Sequence, residues 1–481
     1  MKKHVVILIC LSILVPAAIC FAEEEKLFQV RAVLYIKSNV SEGAHAPERL
    51  VEMADRAGID AVFLTEYHRP RWEYGLFPLR NLIKKTVEKP GLLRYGLRRC
   101  RKKLAEIKKN TPGVTIFLAS RIVPAYYWTG HPFHEDGLTL HDWDIQFIVS
   151  GIDISDYWGI PTVSNRGFAS YGLRSILKLW PVALLIIGIV LLKKKHSRFY
   201  IADPICWLLI ITGALFTMNN FPFKHAKYHQ YNEEMGVGPY QEVIDYVNRK
   251  GGVVFWSNPE VSTSRDVGPV RVASSNAIKH MLDSEDYTGF CCFYEGYRDV
   301  GGPGGVWDTV LEEYCSGKRK NPAWAIGEMT YHAGEGPGSK RIDEVQTVFL
   351  VPSNTREDIL EAMRLGRMYA VRCSEGCRLR LDSFIVKAPC GAEAIMGEEL
   401  EAAGPVTVSF GVSWEGKAGR AVTAQLIRSG EVVKEFSIKE PGEFVYTDDL
   451  YEDGRKTYYR LDVRGGYPDM LFSNPVFVDF K

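Results

Sequence analysis

The chain has 481 residues, which is longer than a domain with one hydrophobic core usually is, so two or more domains are expected. Hydrophobic residues make up 46% and charged residues 24%, as in an ordinary globular protein, and the formal net charge is +1. A nearly neutral charge offers no general electrostatic basis for an acidic partner, so we expect no nucleic-acid partner. Any function must therefore depend on local groups of residues.

The N-terminus has the pattern of a secretory signal. Two lysines at positions 2 and 3 precede an apolar run over residues 5–19, and the following segment Cys20–Ala22 has small residues at positions 20 and 22. The pattern predicts a signal peptide over residues 1–22, with an uncleaved membrane anchor as the alternative. A cleaved signal would place the following segment outside the cytoplasm.

Residues 23–172 are predicted to alternate between strands and helices. A helix is predicted over Pro47–Gly58, with proline in its first turn and glycine at its end, and a basic helical segment over 79–110. The predicted strands cover residues 28–37, 60–67, 114–123 and 144–153. Repeated strand–helix units predict an α/β fold with a parallel sheet or barrel.

Two apolar stretches interrupt this pattern. Residues 175–192 and 199–218 each reach the roughly 20 residues that cross a bilayer, and the basic loop Lys193–Arg198 joins them. Because short basic loops stay in the cytoplasm, the sequence predicts a transmembrane hairpin over 173–218. The alternative is a buried helical pair in a soluble core. A hairpin makes the lipid bilayer a partner through both stretches.

The signal and the hairpin together predict a location. Both soluble parts would lie on the extracytoplasmic side of a bacterial cell membrane, where an envelope protein partner is expected. An oxidising envelope permits disulfides, and a bond from Cys373 to Cys377 or to Cys390 is the expected local pairing.

Strand–helix alternation resumes over residues 219–377, and residues 378–481 have a different pattern. There, short alternating strands follow one another with turn signals between them and without helical periodicity. This pattern predicts a C-terminal β-sandwich domain.

A series of segments, in order, resembles motifs of the PHP (polymerase and histidinol phosphatase) superfamily of metal-dependent phosphoesterases. Leu34–Gly43 is similar to the first-strand motif L-H-x-H-[ST]-x-x-S-D-G, and Glu66–Tyr67 stands in place of the end of T-D-H. Gly251–Pro259 is similar to G-G-x-x-x-x-A-H-P, and Thr330–His332 to the closing D-x-H. The resemblance covers about residues 28–372 apart from the hairpin. It implies a distorted (β/α)7 barrel with metals at the carboxyl ends of the strands.

At the positions where the resemblance implies metal ligands, most histidines and aspartates are replaced. The residues at these degenerate positions are Tyr35, Lys37, Glu42, Glu66, Tyr67, Tyr127, Gln146, Asn258, Thr330 and His332. Only Glu42, Glu66 and His332 still carry side chains that readily coordinate a divalent cation. The sequence therefore predicts no metal site and no cofactor. We expect Lys37 to form an ion pair with Glu42 or Glu66 in place of the metals.

The sequence thus favours a catalytically inactive, membrane-anchored PHP-like protein with a binding or scaffolding role. The alternative is a metal-dependent phosphoesterase, acting on phosphodiesters or phosphomonoesters, with a reduced or relocated site for Mn, Fe or Zn. Its ligands would be Glu42, Glu66, His332 and the loop from His131 to His134. A third reading, an envelope sensor, is disfavoured because the predicted cytoplasmic loop is so short.

Overall fold

The computed structural model describes residues 26–135, 137–193, 203–233, 235–331, 340–416, 421–452 and 454–481. The predicted signal peptide, most of the basic loop and His332 lie outside the described residues. The described part is a mixed α/β protein with one large sheet and a strand-rich C-terminal part.

As far as residue 372, strands alternate with helices. The strands are β1 (Phe28–Ile36), β2 (Ala61–Tyr67), β3 (Arg71–Gly75), β4 (Lys84–Glu88), β5 (Thr115–Ile122), β6 (Tyr127–Gly130), β7 (Leu138–His141), β8 (Gln146–Ser150), β9 (Ala169–Ser170), β10 (His225–Ala226), β11 (Val253–Ser257), β12 (Thr263–Val267), β13 (Val270–Ser274), β14 (Gly289–Phe293), β15 (Trp324–Gly327), β16 (Val345–Val351) and β17 (Met368–Arg372). The helices are α1 (Pro47–Arg56), α2 (Leu92–Tyr95), α3 (Leu97–Asn110), α4 (Leu173–Ile176), α5 (Trp180–Lys193), α6 (Asp203–Asn220), α7 (Gly238–Arg249), α8 (Ile278–Asp283), α9 (Val306–Cys315) and α10 (Arg356–Leu365), with 3₁₀ helices at Asp156–Gly159 and Leu177–Leu179.

Seven of these strands form a continuous row, in the order β1, β2, β5, β8, β11, β14, β15. Neighbours in the row are parallel except at β8, which runs antiparallel to both β5 and β11. Beyond β15, Tyr331 forms a parallel bridge to Ile36 at the end of β1, and Lys37 N donates to Tyr331 O at 2.8 Å. The carboxyl ends of six strands and the amino end of β8 therefore lie at one edge.

Local signals explain where several elements begin and end. Thr355 caps α10, because its hydroxyl oxygen accepts a hydrogen bond from Asp358 N at 3.2 Å, and Gly366 ends that helix in the left-handed conformation. The expectation of a helical segment over 79–110 is wrong at its start. Lys84–Glu88 is a strand there, because it pairs with Arg71–Gly75 in a hairpin.

The C-terminal part consists of strands. They are β18 (Cys377–Lys387), β19 (Glu393–Ile395), β20 (Glu399–Ala402), β21 (Val406–Gly416), β22 (Val422–Arg428), β23 (Glu431–Ile438), β24 (Gly442–Asp448), β25 (Lys456–Arg464), β26 (Met470–Ser473) and β27 (Val476–Phe480). One sheet has the order β19, β18, β21, β24, whereas β26, β25, β22 and β23 extend the large sheet from β17. Buried side chains from both sheets, such as Phe410 and Leu461, belong to one hydrophobic cluster.

The expected disulfide is wrong, since Cys373, Cys377 and Cys390 are all unbonded. Cys373 follows β17 and Cys377 begins β18, and both are buried in the C-terminal cluster. Cys390 is exposed on the turn after β18.

The helices α5 and α6 pack against each other as a pair. Gly188 and Gly213 lie at their contact, where an added Cβ would stand 2.8 Å and 2.7 Å from atoms of the opposite helix. Small residues allow helices to approach this closely. Among the described residues, one helical stretch, Leu173–Lys193, is long and apolar enough to cross a membrane. The described part of the predicted stretch 199–218 begins at Asp203.

Candidate functional site

Several predicted site residues lie at the edge where the strand ends meet. They are Tyr35, Lys37, Tyr67, Gln146, Asn258 and Thr330. Gln146 reaches this edge because β8 is antiparallel, which places its first residue opposite Ser257, the last residue of β11. Residues that are far apart in the sequence are thereby brought to one side of the seven-stranded row.

Three of these residues have left-handed backbone conformations. The angle φ is 63° at Tyr35, 47° at Asn258 and 44° at Thr330. Residues with a Cβ avoid this region, and a β-branched residue such as threonine avoids it most strongly. Because the surrounding fold must hold such residues in place, they concentrate at binding and catalytic sites.

Two cationic side chains converge on Tyr67. Lys37 Nζ lies 3.3 Å from the Tyr67 hydroxyl oxygen and 4.8 Å from the centroid of its ring. Arg121, which is opposite Tyr67 on β5, donates a hydrogen bond to the same hydroxyl, and its guanidinium carbon lies 4.6 Å from the ring centroid. Lys37 is only 5% exposed, and no carboxylate of the described residues forms an ion pair with it. An ammonium and a guanidinium thus share one neutral phenol.

Burial and neighbouring charges set the protonation of this group. Burial, followed by the charge of Arg121, lowers the pKa of Lys37 to about 8. Burial raises the pKa of Tyr35, whose ring centroid is 5.2 Å from Lys37 Nζ, well above its ordinary value. Arg121 lies 3.9 Å from Asp144, but that carboxylate also accepts two hydrogen bonds from Arg265 at 2.6 and 3.1 Å. Arg121 and Arg265 therefore share the carboxylate of Asp144.

Glu328 is a carboxylate at this edge that is absent from the residues predicted from sequence. It directly follows β15, is fully buried, and accepts hydrogen bonds from Thr330 N at 3.1 Å and from Thr330 Oγ1 at 3.2 Å. Burial raises the pKa of Glu328 to about 7, although the charge of Lys340 acts in the opposite direction. Its charge acts on both Tyr35 and Lys37.

Arg121 is likewise missing from the predicted site. In both cases the available signal is a charged residue at the carboxyl end of an apolar strand, where parallel strands place their functional side chains. We refer to Tyr35, Lys37, Tyr67, Arg121 and Glu328 as the edge cluster.

Glu66 lies on the other face of its strand. Side chains alternate along a strand, so Glu66 and Tyr67 point in opposite directions. Glu66 is buried beside Cys100 of α3 and accepts hydrogen bonds from the hydroxyls of Ser38 and Ser41. Burial raises its pKa, and these hydrogen bonds oppose that rise. Its carboxylate is therefore part of the packing between the sheet and the helices.

Glu42 forms an ion pair with Lys89 at 3.0 Å. Hydrogen bonds from Lys89 and Tyr67 outweigh the effect of burial and lower the pKa of Glu42. The expected ion pair of Lys37 with Glu42 or Glu66 is therefore wrong. Both carboxylates already have other donors, and the Lys37 ammonium is directed to Tyr67 instead.

Tyr127 and the histidine-rich loop belong to a separate four-stranded sheet that contains β6 and β7. Tyr127 stacks on His141 with ring centroids 4.6 Å apart. His131 and His134 are on the connecting loop, with ring centroids 5.3 Å apart, and His134 is exposed. Within the described ranges, these histidines have no contact with Glu42 or Glu66 that would form the relocated metal site.

The residues at the edge do not fit a divalent cation. Across the described ranges, no three or more His, Cys, Asp and Glu side chains are placed to hold one metal ion. Two positive charges in the edge cluster, on Lys37 and Arg121, would repel a metal ion directly. His332 lies outside the described residues.

No family model and no curated protein matches this chain. Similar solved structures include a two-domain protein from Bacteroides vulgatus, named as containing a predicted PHP-like metal-dependent phosphoesterase, with 11% identity, 90% of each chain covered and a TM-score of 0.34. A protein from Bifidobacterium adolescentis, named as a metal-dependent phosphoesterase, has 14% identity and a TM-score of 0.19, with 48% of this chain and 67% of that chain covered. An amidohydrolase from Chromobacterium violaceum, with bound sulfate and no metal, has 11% identity and a TM-score of 0.26, with 63% of this chain and 88% of that chain covered. Structures similar to this chain thus include PHP-like metal-dependent phosphoesterases.

Proposed function

We propose that this chain is a membrane-anchored envelope protein of the PHP type that binds an anionic ligand at the edge cluster and does not hydrolyse phosphoesters. One observation carries the proposal. Lys37 and Arg121 converge on Tyr67 at the strand edge, where a metal-dependent enzyme of this type would need metal ligands.

The proposed fold is a distorted (β/α)7 barrel followed by a β-sandwich. The bridge between Ile36 and Tyr331 supports closure of the seven-stranded row, because it joins the first strand to the segment after the last. The hydrophobic cluster shared by the two C-terminal sheets supports the sandwich.

The proposed anchor is a two-helix transmembrane hairpin formed by α5 and α6. Large apolar side chains are exposed on both helices, among them Ile187, Leu208 and Ile211. A continuous apolar surface of this kind is unfavourable in water and favourable in lipid. With the predicted signal peptide, the hairpin would leave both soluble parts on the extracytoplasmic side.

The charges of the edge cluster favour an anion over a metal. An ammonium and a guanidinium are the groups that proteins use to bind phosphate and carboxylate, and burial strengthens their attraction for an anion. Gln146 and Asn258 bring neutral amides to the same edge, and Gln146 Oε1 has no hydrogen-bond partner among the described residues. A phosphate or carboxylate group would supply the counter-charge that Lys37 lacks.

The test uses the full-length protein in detergent, purified without chelators. Elemental analysis measures bound metal, hydrolysis of a generic phosphodiester measures turnover, and calorimetry measures the binding of inorganic phosphate. We expect no turnover, and we expect Lys37→Met to weaken phosphate binding by about tenfold or more. Lys250→Met is the matched control, because Lys250 pairs with Asp156 at 2.9 Å and lies outside the edge cluster.

Two results would count against the proposal. Stoichiometric Mn, Fe or Zn together with hydrolysis would support the metal-dependent phosphoesterase instead. Equal phosphate affinity in the wild type and in Lys37→Met would remove the edge cluster as the binding site.

A further inference from the structure

A cavity lies where the two apolar helices join the α/β part of the chain. It has a volume of about 520 Å³, and its wall includes Lys178, just before α5, and Asn219 and Asn220 at the end of α6. Asn81 donates hydrogen bonds to Asn219 Oδ1 at 2.9 Å and to Asn219 O at 2.7 Å, and Asn220 Nδ2 donates to Lys178 O at 2.9 Å. These bonds attach the cavity to the end of the hairpin.

The cavity wall has an excess of basic side chains. They are Arg80, Arg166, Lys178, Lys224, His225 and His229. Among the described residues of the wall, Glu73 is the one carboxylate, and it already accepts from Arg166 at 2.8 Å, from Arg71 at 2.9 Å and from Lys84 at 3.1 Å. These neighbours outweigh the effect of burial and lower the pKa of Glu73 to about 2. Glu73 is therefore saturated with cations and does not neutralise the rest of the wall.

The remaining basic groups have no carboxylate of their own. None of the described acidic side chains forms an ion pair with Arg80, Lys178 or Lys224. The Arg80 guanidinium packs 3.8 Å from the centroid of the Tyr231 ring, and its buried Nε has no hydrogen-bond partner in the part of the chain that the structure describes. Burial, followed by the charges of Lys178 and Arg80, lowers the pKa of His229. Cations gathered in one cavity without counter-charge form a site for an anion.

Exposed aromatic side chains surround the same cavity. Phe77 and Phe221 line it and are 79% and 68% exposed. Tyr171, which is 68% exposed, has its ring 5.3 Å from Lys224 Nζ. Exposed aromatic rings at the end of a spanning helix occupy the interface between lipid and water, which is the depth of lipid phosphate groups.

We infer that this cavity binds the phosphate group of an anionic lipid headgroup. The inference rests on the proposed transmembrane hairpin, which sets the cavity at headgroup depth. Lys178 and Lys224 contribute charge to the phosphate, and the apolar rim contacts the acyl region. Since Asn81 links this wall to the hairpin end, a bound lipid would hold the soluble part against the bilayer.

The experiment uses full-length protein in nanodiscs that contain equal amounts of phosphatidylcholine and phosphatidylglycerol. Native mass spectrometry after release from the discs measures the lipids that remain bound. All samples carry Lys37→Met, so that the edge cluster does not contribute an anion site. We expect preferential retention of phosphatidylglycerol, and a loss of roughly 10- to 30-fold in the Lys178→Gln/Lys224→Gln variant. Lys227→Gln is the matched control, because Lys227 pairs with Glu242 at 2.6 Å and is not part of the wall.

Each other outcome has a definite meaning. Equal retention of the two lipids, or unchanged retention in the double variant, would overturn the inference. The inference would also be overturned if calorimetry showed that inorganic phosphate binds the cavity while no phosphatidylglycerol is retained. Alkaline carbonate extraction of membranes is run in parallel, since release of the chain would identify a failure of the anchor and not of the lipid site.

Discussion

Two arginines with little solvent exposure have different kinds of partner in this chain. Arg460 on β25 is fully buried and donates to both oxygens of Asp308 on α9, at 2.7 and 2.6 Å. Arg121 at the strand edge donates to the neutral hydroxyl of Tyr67 and lies 3.9 Å from Asp144. The first arginine has a carboxylate to itself, and the second does not.

This difference separates a structural charge from a charge that is available to a ligand. The pair of Arg460 and Asp308 joins the C-terminal strands to α9, and each partner leaves a buried charge if the other is removed. Lys37 has no ion pair with a carboxylate among the described residues, and burial lowers its pKa, so the folded state bears a cost for its charge. A chain tolerates such a cost where a bound anion offsets it.

The largest effect is expected when the structural pair is broken. Arg460→Met should lower the free energy of unfolding by about 3–5 kcal/mol, because Asp308 is left buried and unpaired. Thermal or denaturant unfolding of the purified protein measures the change. Arg455→Met is the control, since its ion pairs with Glu312 and Glu452 are exposed and should be worth about 1 kcal/mol or less. Equal effects of the two variants would contradict a structural role for Arg460.

A smaller, pH-dependent effect is expected at Glu328. Its pKa is raised from 4.5 to about 7, so between these values the folded state keeps a proton that the unfolded state releases. Stability contributed by this group therefore falls as pH rises from 4.5 to 7, and the cost is complete above pH 7. Glu328→Gln should remove that cost and stabilise the protein by on the order of 2 kcal/mol at pH 8, with little change at pH 4.5. Unfolding midpoints of the wild type and of Glu328→Gln over this pH range test the prediction. A difference between the two that does not change with pH would refute it.

Lys37→Met should stabilise the protein while it weakens anion binding. The folded-state pKa of Lys37 is lowered to about 8, which shows that the fold disfavours its charged form. Replacement by methionine should raise the free energy of unfolding at pH 7 by about 1–2 kcal/mol. A loss of stability like that of Arg460→Met would instead make Lys37 a structural residue.

The smallest effect is expected at the half-exposed pair of Lys89 and Glu42. The side chains are 60% and 35% exposed, so Lys89→Met should change stability by about 0–1 kcal/mol. Unfolding of the wild type and of Lys89→Met at low and high salt measures this change in stability, which should become smaller at high salt. A change above that range would show that Glu42 depends on Lys89 for the packing beside Tyr67.

Several elements follow from local signals that can be recognised in the sequence. The Thr355 cap and Gly366 bound α10, Pro47 begins α1, and alternating side chains mark β18 and β21. Such features follow from periodicity and capping within a few residues, which a sequence shows directly. The grouping of Tyr35, Lys37 and Tyr67 in one site was predicted from the resemblance to PHP motifs.

The partners of the side chains at the site depend instead on how distant segments pack together. The antiparallel course of β8 carries Gln146 to the edge, and strand alternation turns Glu66 toward α3. Lys37 meets Tyr67 and Arg121 because strands pair across long separations in the sequence. Burial then sets the pKa values of these groups. Because burial and pairing arise from contacts between distant segments, local sequence patterns do not contain them.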